Sequence, residues 1–220
     1  GLSPNESATG TVQFVWNEVG SATSATSTVP VTVAYLAASA DNILAAFYSE
    51  SALNNNNAGQ ADLAFSGIDT GVTGIQWNNN QNGSSDTSYG TLLGNAPING
   101  GCGQISAWNG GNLYIALTNN SGFPVELDSI NFDVARKYGE DLTNDTVTVT
   151  IDGDVAGAPV VSPAFNNIIG EAYSGVHDFT DIDWDLTAEN LELADGDAIT
   201  ITFTWTGGSL VMLDNAAILG

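Results

Sequence analysis

Hydrophobic and polar residues alternate over much of the chain with a period of two residues, and no run follows the period of a helix. Because successive side chains of a strand point to opposite sides, this pattern predicts strands that bury one side. The continuous apolar run at 43–48 predicts a strand covered on both sides or lying at the edge of the fold. Similar runs predict further strands near 12–16, 29–35, 113–117, 130–134, 147–151, 199–205 and 210–219.

Residues that favour turns separate these runs. Asp152-Gly153 ends one predicted strand, and Asp195-Gly196-Asp197 precedes another. The polar tracts at 54–57 and 78–88 are predicted as loops. Strands of this kind and number predict an all-β fold, a two-sheet antiparallel sandwich with jelly-roll-like or related topology.

The 220 residues fit a single sandwich domain over 1–220. Its first twenty residues, 1–20, combine a polar leader with the apolar-rich stretch TVQFVW. This layout predicts an edge strand or a strand exchanged with a neighbouring molecule.

The charge of the chain is almost entirely negative, which excludes several classes of binding partner. Asp and Glu number 25, Lys and Arg only two, and the formal net charge is −23. Nucleic acid is excluded as a partner because phosphate binding needs clustered basic residues, and an anionic membrane surface is disfavoured for the same reason. No stretch is apolar enough for a membrane span. The sequence starts at Gly1 with no signal peptide in view, which indicates a mature or excised product.

The residues needed for most catalytic sites are scarce. The chain has one histidine, His177, one cysteine, Cys102, and no G-x-S-x-G motif, so it predicts a protein that is not an enzyme. Cys102 lies in a glycine-rich stretch and cannot form an intramolecular disulfide. A glycoside hydrolase remains a weaker alternative, because its chemistry needs only two carboxylates at a suitable separation.

Calcium is the metal that the sequence favours, since it binds carboxylate, amide and carbonyl oxygens. The stretch HDFTDIDWD brings four candidate ligands within eight residues: Asp178, Asp181, Asp183 and Asp185. The alternative is a solvated strand face on which these acids alternate with core residues, namely Ile182, Trp184 and Leu186. The sequence therefore predicts a structural calcium site here and leaves that alternative open.

Two tryptophans are candidates for contact with sugars. Trp77 and Trp108 lie among Asn, Gln and Gly, whose polar groups suit sugar hydroxyls, although packing beneath the loops is the alternative. Trp16, Trp184 and Trp205 alternate in phase with core positions and are predicted to be buried. The N-x-S/T sequons at Asn5, Asn82, Asn119 and Asn144 are about as many as this composition gives by chance.

The only two basic side chains, Arg136 and Lys137, are adjacent. Counting by twos from Ile130 places Arg136 on the core side at the end of its strand, where its guanidinium can bind a carboxylate or carbonyls. Asp133, Glu140, Asp141 or an acid of a facing strand are the candidate partners. We therefore predict that Arg136 is a structural clamp and that Lys137 is a surface charge.

Two pairs of stretches resemble a group of secreted bacterial β-sandwich proteins, many of which carry a PEP-CTERM sorting tail. They are LYIALTNNSGFPVELDSINFDVAR with DTVTVTIDGD, and LELADGDAITITFTWTGG with LVMLDNAAILG. The resemblance covers about the last half of the chain and implies export and a place at the cell surface or in the extracellular matrix.

Together, the sequence and the resemblance predict a non-catalytic extracellular structural protein, such as a filament or sheath subunit that self-associates through strand or edge pairing. The alternative is a carbohydrate-binding module with a glycan partner.

Overall fold

The computed structural model describes residues 7–17, 24–34, 43–48, 60–74, 77–79, 84–85, 88–93, 102–106, 111–136, 145–169, 179–207 and 210–220. Among these residues every strand pair is antiparallel, and no segment is helical. The chain divides into two compact units, 1–39 and 40–220, each of which is considered by itself.

The first unit is a hairpin of two long strands, β1 (Ser7–Asn17) and β2 (Ser24–Ala34). Its register places Val12 opposite Val29 and Gly10 opposite Val31, whereas Thr9 lies opposite Thr32.

The described residues of the second unit form sixteen strands. They are β3 (Ile43–Phe47), β4 (Leu63–Ala64), β5 (Ile68–Thr73), β6 (Trp77–Asn79), β7 (Ser88–Tyr89), β8 (Leu92–Leu93), β9 (Cys102–Ser106), β10 (Asn112–Asn119), β11 (Val125–Leu127), β12 (Ser129–Arg136), β13 (Thr146–Gly153), β14 (Val160–Val161), β15 (Thr180–Asp185), β16 (Leu191–Leu193), β17 (Ala198–Thr206) and β18 (Leu210–Leu219).

Most of these strands belong to two large sheets. The front sheet has the order β14-β13-β17-β10-β5, and the back sheet has the order β15-β12-β18-β3-β4, with β9 also paired to β18 and β6 to β9. Two short ribbons, β11-β16 and β7-β8, complete the described pairing. The two-sheet antiparallel sandwich predicted from the sequence is confirmed.

The core lies between the front and back sheets, as the alternation requires. Ile115, Val149 and Phe203 of the front sheet pack in one buried cluster with back-sheet residues such as Phe132. The rings of Phe132 and Phe203 meet edge to face, with their centroids 5.0 Å apart. Trp184 and Trp205 are buried as predicted, whereas the side chain of Trp16 lies outside the described residues.

The back sheet is covered on its outer face as well. Tyr89 of the β7-β8 ribbon packs against Ala46, Ala217 and Leu219, so β3 and β18 are buried on both sides. This confirms the prediction that the apolar run at 43–48 is covered on both faces. On β12 every residue from Ile130 to Arg136 is buried.

Each of the eight long strands predicted from the sequence is present. The tract at 78–88 was expected to be a loop, but β6 includes Asn78 and Asn79, whose backbone pairs with β9. That part of the prediction is wrong, because pairing with a distant strand overrides a polar local composition. The tract at 54–57 lies outside the described residues.

Candidate functional site

The front sheet presents an outer face built mainly from threonine. On β13 and β17 the alternation of buried apolar residues with threonine turns each hydroxyl away from the core. We call this surface the threonine face, and its members are Asn112, Tyr114, Ala116, Thr118, Thr146, Thr148, Thr150, Thr200, Thr202, Thr204, Thr206 and Thr73, with Asp69, Gly71, Asp152 and Ala198 at its margin. On the adjacent strands β17 and β10 none of the outward positions carries a charge.

Tyr114 is the aromatic centre of the threonine face. It lies directly opposite Thr202 on one side and Thr73 on the other, and 37% of it is exposed. Asn112 donates from Nδ2 to the Tyr114 hydroxyl at 3.0 Å, which helps to orient the ring. The arrangement offers a ring face beside rigid hydroxyls that both donate and accept hydrogen bonds.

A second exposed aromatic group lies where the β10-β11 loop meets the turn before β5. The rings of Phe65 and Phe123 meet edge to face at 6.1 Å, and they are 44% and 49% exposed. Close by, Asn120 Nδ2 donates to Asp69 Oδ2 at 2.7 Å. We call Phe65 and Phe123 the loop-end pair.

The side chains of the two tryptophans predicted to contact sugar lie outside the described residues. Trp77 begins β6, where its backbone lies opposite Gln104 of β9, but its side chain is outside the described residues. Trp108 lies outside the described residues altogether. Their role in sugar contact stays a prediction.

The acids predicted to bind calcium lie mostly on one exposed strand face. Asp181, Asp183 and Asp185 of β15 are exposed, and they alternate with buried Ile182 and Trp184. This is the geometry of the solvated-face alternative. Asp178 lies outside the described residues.

Asp183 and Asp185 accept hydrogen bonds from neighbouring groups. Asp183 Oδ1 accepts from Asn131 Nδ2 at 2.7 Å and from the Thr91 amide at 3.0 Å. Asp185 Oδ1 accepts from the Thr187 hydroxyl at 2.6 Å and from its amide at 2.9 Å, and these bonds lower the pKa of Asp185. Within the described part of the chain, no group of three or more acidic, histidine or cysteine side chains is arranged to hold a metal.

Arg136 is buried on the core side of β12, close to the start of β13. Its Nη1 lies 3.7 Å from Asp145 Oδ2, and its Nε donates to the Ile168 carbonyl at 3.0 Å. Asp145 directly precedes β13 of the front sheet and is none of the three acids named from the sequence. Asp133 lies on the opposite side of β12, while Lys137, Glu140 and Asp141 are outside the described residues. The geometry suits a clamp between the sheets, which remains a prediction until Arg136 is replaced.

The Asn119 side chain of one sequon forms hydrogen bonds inside the protein. Asn119 is fully buried, and its Nδ2 donates to the carbonyls of Phe123 at 2.8 Å and Leu193 at 2.9 Å. This amide therefore holds the β10-β11 loop and is inaccessible to a glycosyl group.

Solved structures that resemble this chain do so only distantly, and two of them are described here. One is a structure of carbohydrate-binding modules of the β-sandwich superfamily, at 12% identity and a TM-score of 0.30, covering 98% of this chain and 75% of that one. The other is chitosan-binding module 1 from a chitosanase/glucanase of Paenibacillus sp. IK-5, at 11% identity and a TM-score of 0.27, covering 69% of this chain and 93% of that one. At these TM-scores neither likeness carries an inference about this chain. No protein-family model and no curated protein matches the sequence.

Sequence reasoning missed the aromatic residues that the structure exposes. Tyr114 lies between Leu113 and Ile115, at a position of the alternating pattern that points away from the core. An aromatic residue at such a position could have indicated an exposed ring. Phe65 and Phe123 stand in turn-rich stretches, where the sequence gives no sign that the two rings meet.

Within the described residues, no helix has the length and apolar character needed to cross a membrane.

Proposed function

We propose that this chain is a non-catalytic, extracellular β-sandwich that binds a neutral polysaccharide on its threonine face. The observation that carries the proposal is the exposed Tyr114 ring at the centre of uncharged strands, in a chain of net charge −23. The extracellular location rests on the resemblance of the last half of the chain to secreted sandwich proteins.

The chemistry of the face suits a polyhydroxylated ligand. A sugar ring packs its C–H face on an aromatic side chain, while hydroxyl groups at its rim need donors and acceptors. Threonine supplies both, and its stiff side chain loses little freedom on binding. An anionic polysaccharide is disfavoured because the rest of the protein repels it at low salt.

The row through Tyr114 crosses all five strands of the front sheet. It consists of Val161, Thr150, Thr202, Tyr114 and Thr73. With neighbouring strands about 4.8 Å apart, such a row extends roughly 19 Å, which is long enough for several sugar units. The proposal therefore assigns an extended chain rather than a single sugar as the ligand.

Affinity electrophoresis tests this proposal with gels that contain a neutral β-glucan, a galactomannan or anionic alginate. The parent is expected to be retarded by at least one neutral polymer and not by alginate. Tyr114→Ala should weaken retardation about tenfold, equivalent to about 1.4 kcal/mol. Phe123→Ala is the matched control, since it removes another exposed ring, which belongs to the loop-end pair.

Failure of the parent to bind any neutral polymer contradicts the proposal. Loss of binding in Phe123→Ala but not in Tyr114→Ala moves the ligand to the loop-end pair.

The second candidate function is a self-associating subunit of a surface filament or sheath. The β1-β2 hairpin favours it, because these two strands pair along their whole length within a compact unit of their own. A two-stranded hairpin is only marginally stable alone, so packing against a further surface would stabilise it. A sheet of a neighbouring copy would supply one and would build a non-closing, head-to-tail assembly.

Deletion of residues 1–20 removes β1 and tests this second candidate. The truncated chain is expected to be monomeric and less stable by sedimentation velocity and thermal unfolding, with no filaments by electron microscopy. Assembly of the truncated chain in the manner of the full chain would show that the hairpin is not the exchanged element.

A further inference from the structure

The covered outer face of the back sheet contains two carboxylates that lie directly opposite each other. Asp133 of β12 is cross-strand partner to Asp214 of β18, and the two residues are 0% and 1% exposed. Directly opposed residues hold their Cβ atoms about 5 Å apart, and like charges in such a pair repel. Buried charges of this kind are stable when they are paired or bind a metal.

A β-bulge adds a third oxygen-bearing side chain to this pair. The β12-β18 register passes from Asn131 opposite Ala217 to Asp133 opposite Asp214, so β18 has one extra residue there. Within the bulge Asn215 has a φ of 43°, in the left-handed region that asparagine tolerates. Its amide nitrogen donates to Asp214 Oδ1 at 2.9 Å, and its Nδ2 donates to Asp133 Oδ2 at 2.9 Å.

The side-chain oxygen of Asn215 is buried and accepts no hydrogen bond. A buried acceptor without a partner costs roughly 1–3 kcal/mol, so its persistence at a bulge calls for an explanation. The two ends of an amide are nearly isosteric, and a half-turn about χ2 brings Oδ1 against Asp133 Oδ2. Two oxygens approach each other in that way when a cation lies between them.

Backbone donors hold both carboxylates in place. The Gly90 amide donates to Asp133 Oδ1 at 2.9 Å, and the Ser84 amide donates to Asp214 Oδ2 at 2.8 Å. A carboxylate oxygen carries two lone pairs, so it can accept a hydrogen bond and bind a cation at the same time. These bonds therefore orient the oxygens of both carboxylates.

We propose that Asp133, Asp214 and the Asn215 side-chain oxygen bind one hard divalent cation, with calcium as the favoured ion. Calcium accepts carboxylate and amide oxygens in flexible geometry and takes up water for its remaining positions. Asp181 of β15 lies opposite Asp133 on the other side and is exposed. This site is distinct from the threonine face and does not depend on glycan binding.

Calorimetric titration of the EDTA-treated full chain with CaCl2 in 0.1 M NaCl tests the proposal, with MgCl2 as the comparison. Calcium is expected to bind with one-site stoichiometry and to raise the melting temperature. Asn215→Gly should weaken calcium binding at least about tenfold, because glycine keeps the left-handed backbone and removes the oxygen ligand.

Asn190→Gly is the matched control. Asn190 has a φ of 49° and is exposed, so this variant makes the same change away from the site and leaves the net charge unaltered. It should bind calcium like the parent. Asn215→Asp retains an oxygen ligand and should recover, on addition of calcium, the stability that its added charge removes. This variant keeps the test decisive if Asn215→Gly fails to fold.

Three outcomes overturn the proposal. In the first, the parent shows neither heat of calcium binding nor a calcium-dependent melting temperature. In the second, Asn215→Gly binds calcium as tightly as Asn190→Gly. In the third, Asp185→Asn abolishes calcium binding while Asn215→Gly does not, which places the ion on the exposed acids of β15.

Discussion

The outer faces of the two sheets look alike in sequence and differ completely in the folded protein. On β13 of the front sheet, buried Val147, Val149 and Ile151 alternate with partly exposed threonines. On β12 of the back sheet, Ile130, Phe132 and Val134 alternate with Asn131 and Asp133, yet both faces are buried. The period of two identifies the residues that meet the core, but it does not reveal whether the other face meets water.

This difference separates two uses of polar residues. The threonine face keeps its hydroxyls partly exposed, whereas the back sheet uses its acids and amides in internal hydrogen bonds, such as that from Asn131 Nδ2 to Asp183 Oδ1 at 2.7 Å. A buried polar group is tolerated only when it finds a partner. The residues on the covered face should therefore be much less tolerant of substitution than those on the threonine face.

The largest effect is expected where the two sheets are tied together, at Arg136. Arg136→Met keeps most of the apolar stem but leaves buried Asp145 without the guanidinium 3.7 Å away. Breaking a buried pair in this way should lower the free energy of unfolding by about 2–4 kcal/mol. Urea denaturation measures the loss, with Lys137→Met as the control that removes the same charge and is expected to unfold like the parent. A difference below about 0.5 kcal/mol between the two variants would show that Arg136 is not a clamp.

The next largest effect is expected at Gly90, which lies against the covered back sheet, compared with Gly122, which lies at an open surface. Gly90 has a φ of +55°, and a Cβ there would lie 2.6 Å from the Ile182 carbonyl oxygen and against Asp183. Gly122 has a φ of +84°, but a Cβ there meets nothing within 4 Å. Gly90→Ala should cost about 1–3 kcal/mol and Gly122→Ala about 1 kcal/mol. Equal losses in thermal or urea unfolding would mean that the β7-β8 ribbon does not press on the back sheet.

A smaller effect follows from Tyr89, which covers the back sheet. Burial, with contributions from Tyr48 and Asp62, raises the pKa of Tyr89 to about 12. Because the unfolded residue ionises near 10, this stabilising contribution is complete below pH 10 and is lost as pH rises towards 12. Urea midpoints measured from pH 8 to pH 11.5 should fall for the parent and fall less for Tyr89→Phe. If the urea midpoints of the two proteins fall equally with pH, Tyr89 is exposed to solvent rather than buried.

The smallest effect is expected on the threonine face. Thr202→Val replaces a partly exposed hydroxyl with a methyl group on a strand, where valine is equally favoured. The free energy of unfolding should change by less than about 0.5 kcal/mol. A loss above about 1 kcal/mol in urea denaturation would mean that this face is covered as the back sheet is, and would remove the basis for placing a ligand there.

The sequence by itself determined the long strands and, on β13 and β17, the side that meets the core. Residues 210–219 were predicted as a strand and form β18, and the core positions of β13 and β17 follow the alternation without exception. It also placed Arg136 on the core side of β12. These features are local, because the pleat of a strand fixes which residues share a face wherever that strand pairs.

Only the tertiary structure decided which faces are covered and which polar residues meet. The sequence does not show that Asp133 lies opposite Asp214, that a bulge at Asn215 joins them, or that Asp145 is the partner of Arg136. It also could not show that Tyr114 lies among threonines from three other strands. Each of these contacts depends on the register of strands far apart in the chain, and a shift of one residue would reverse every face.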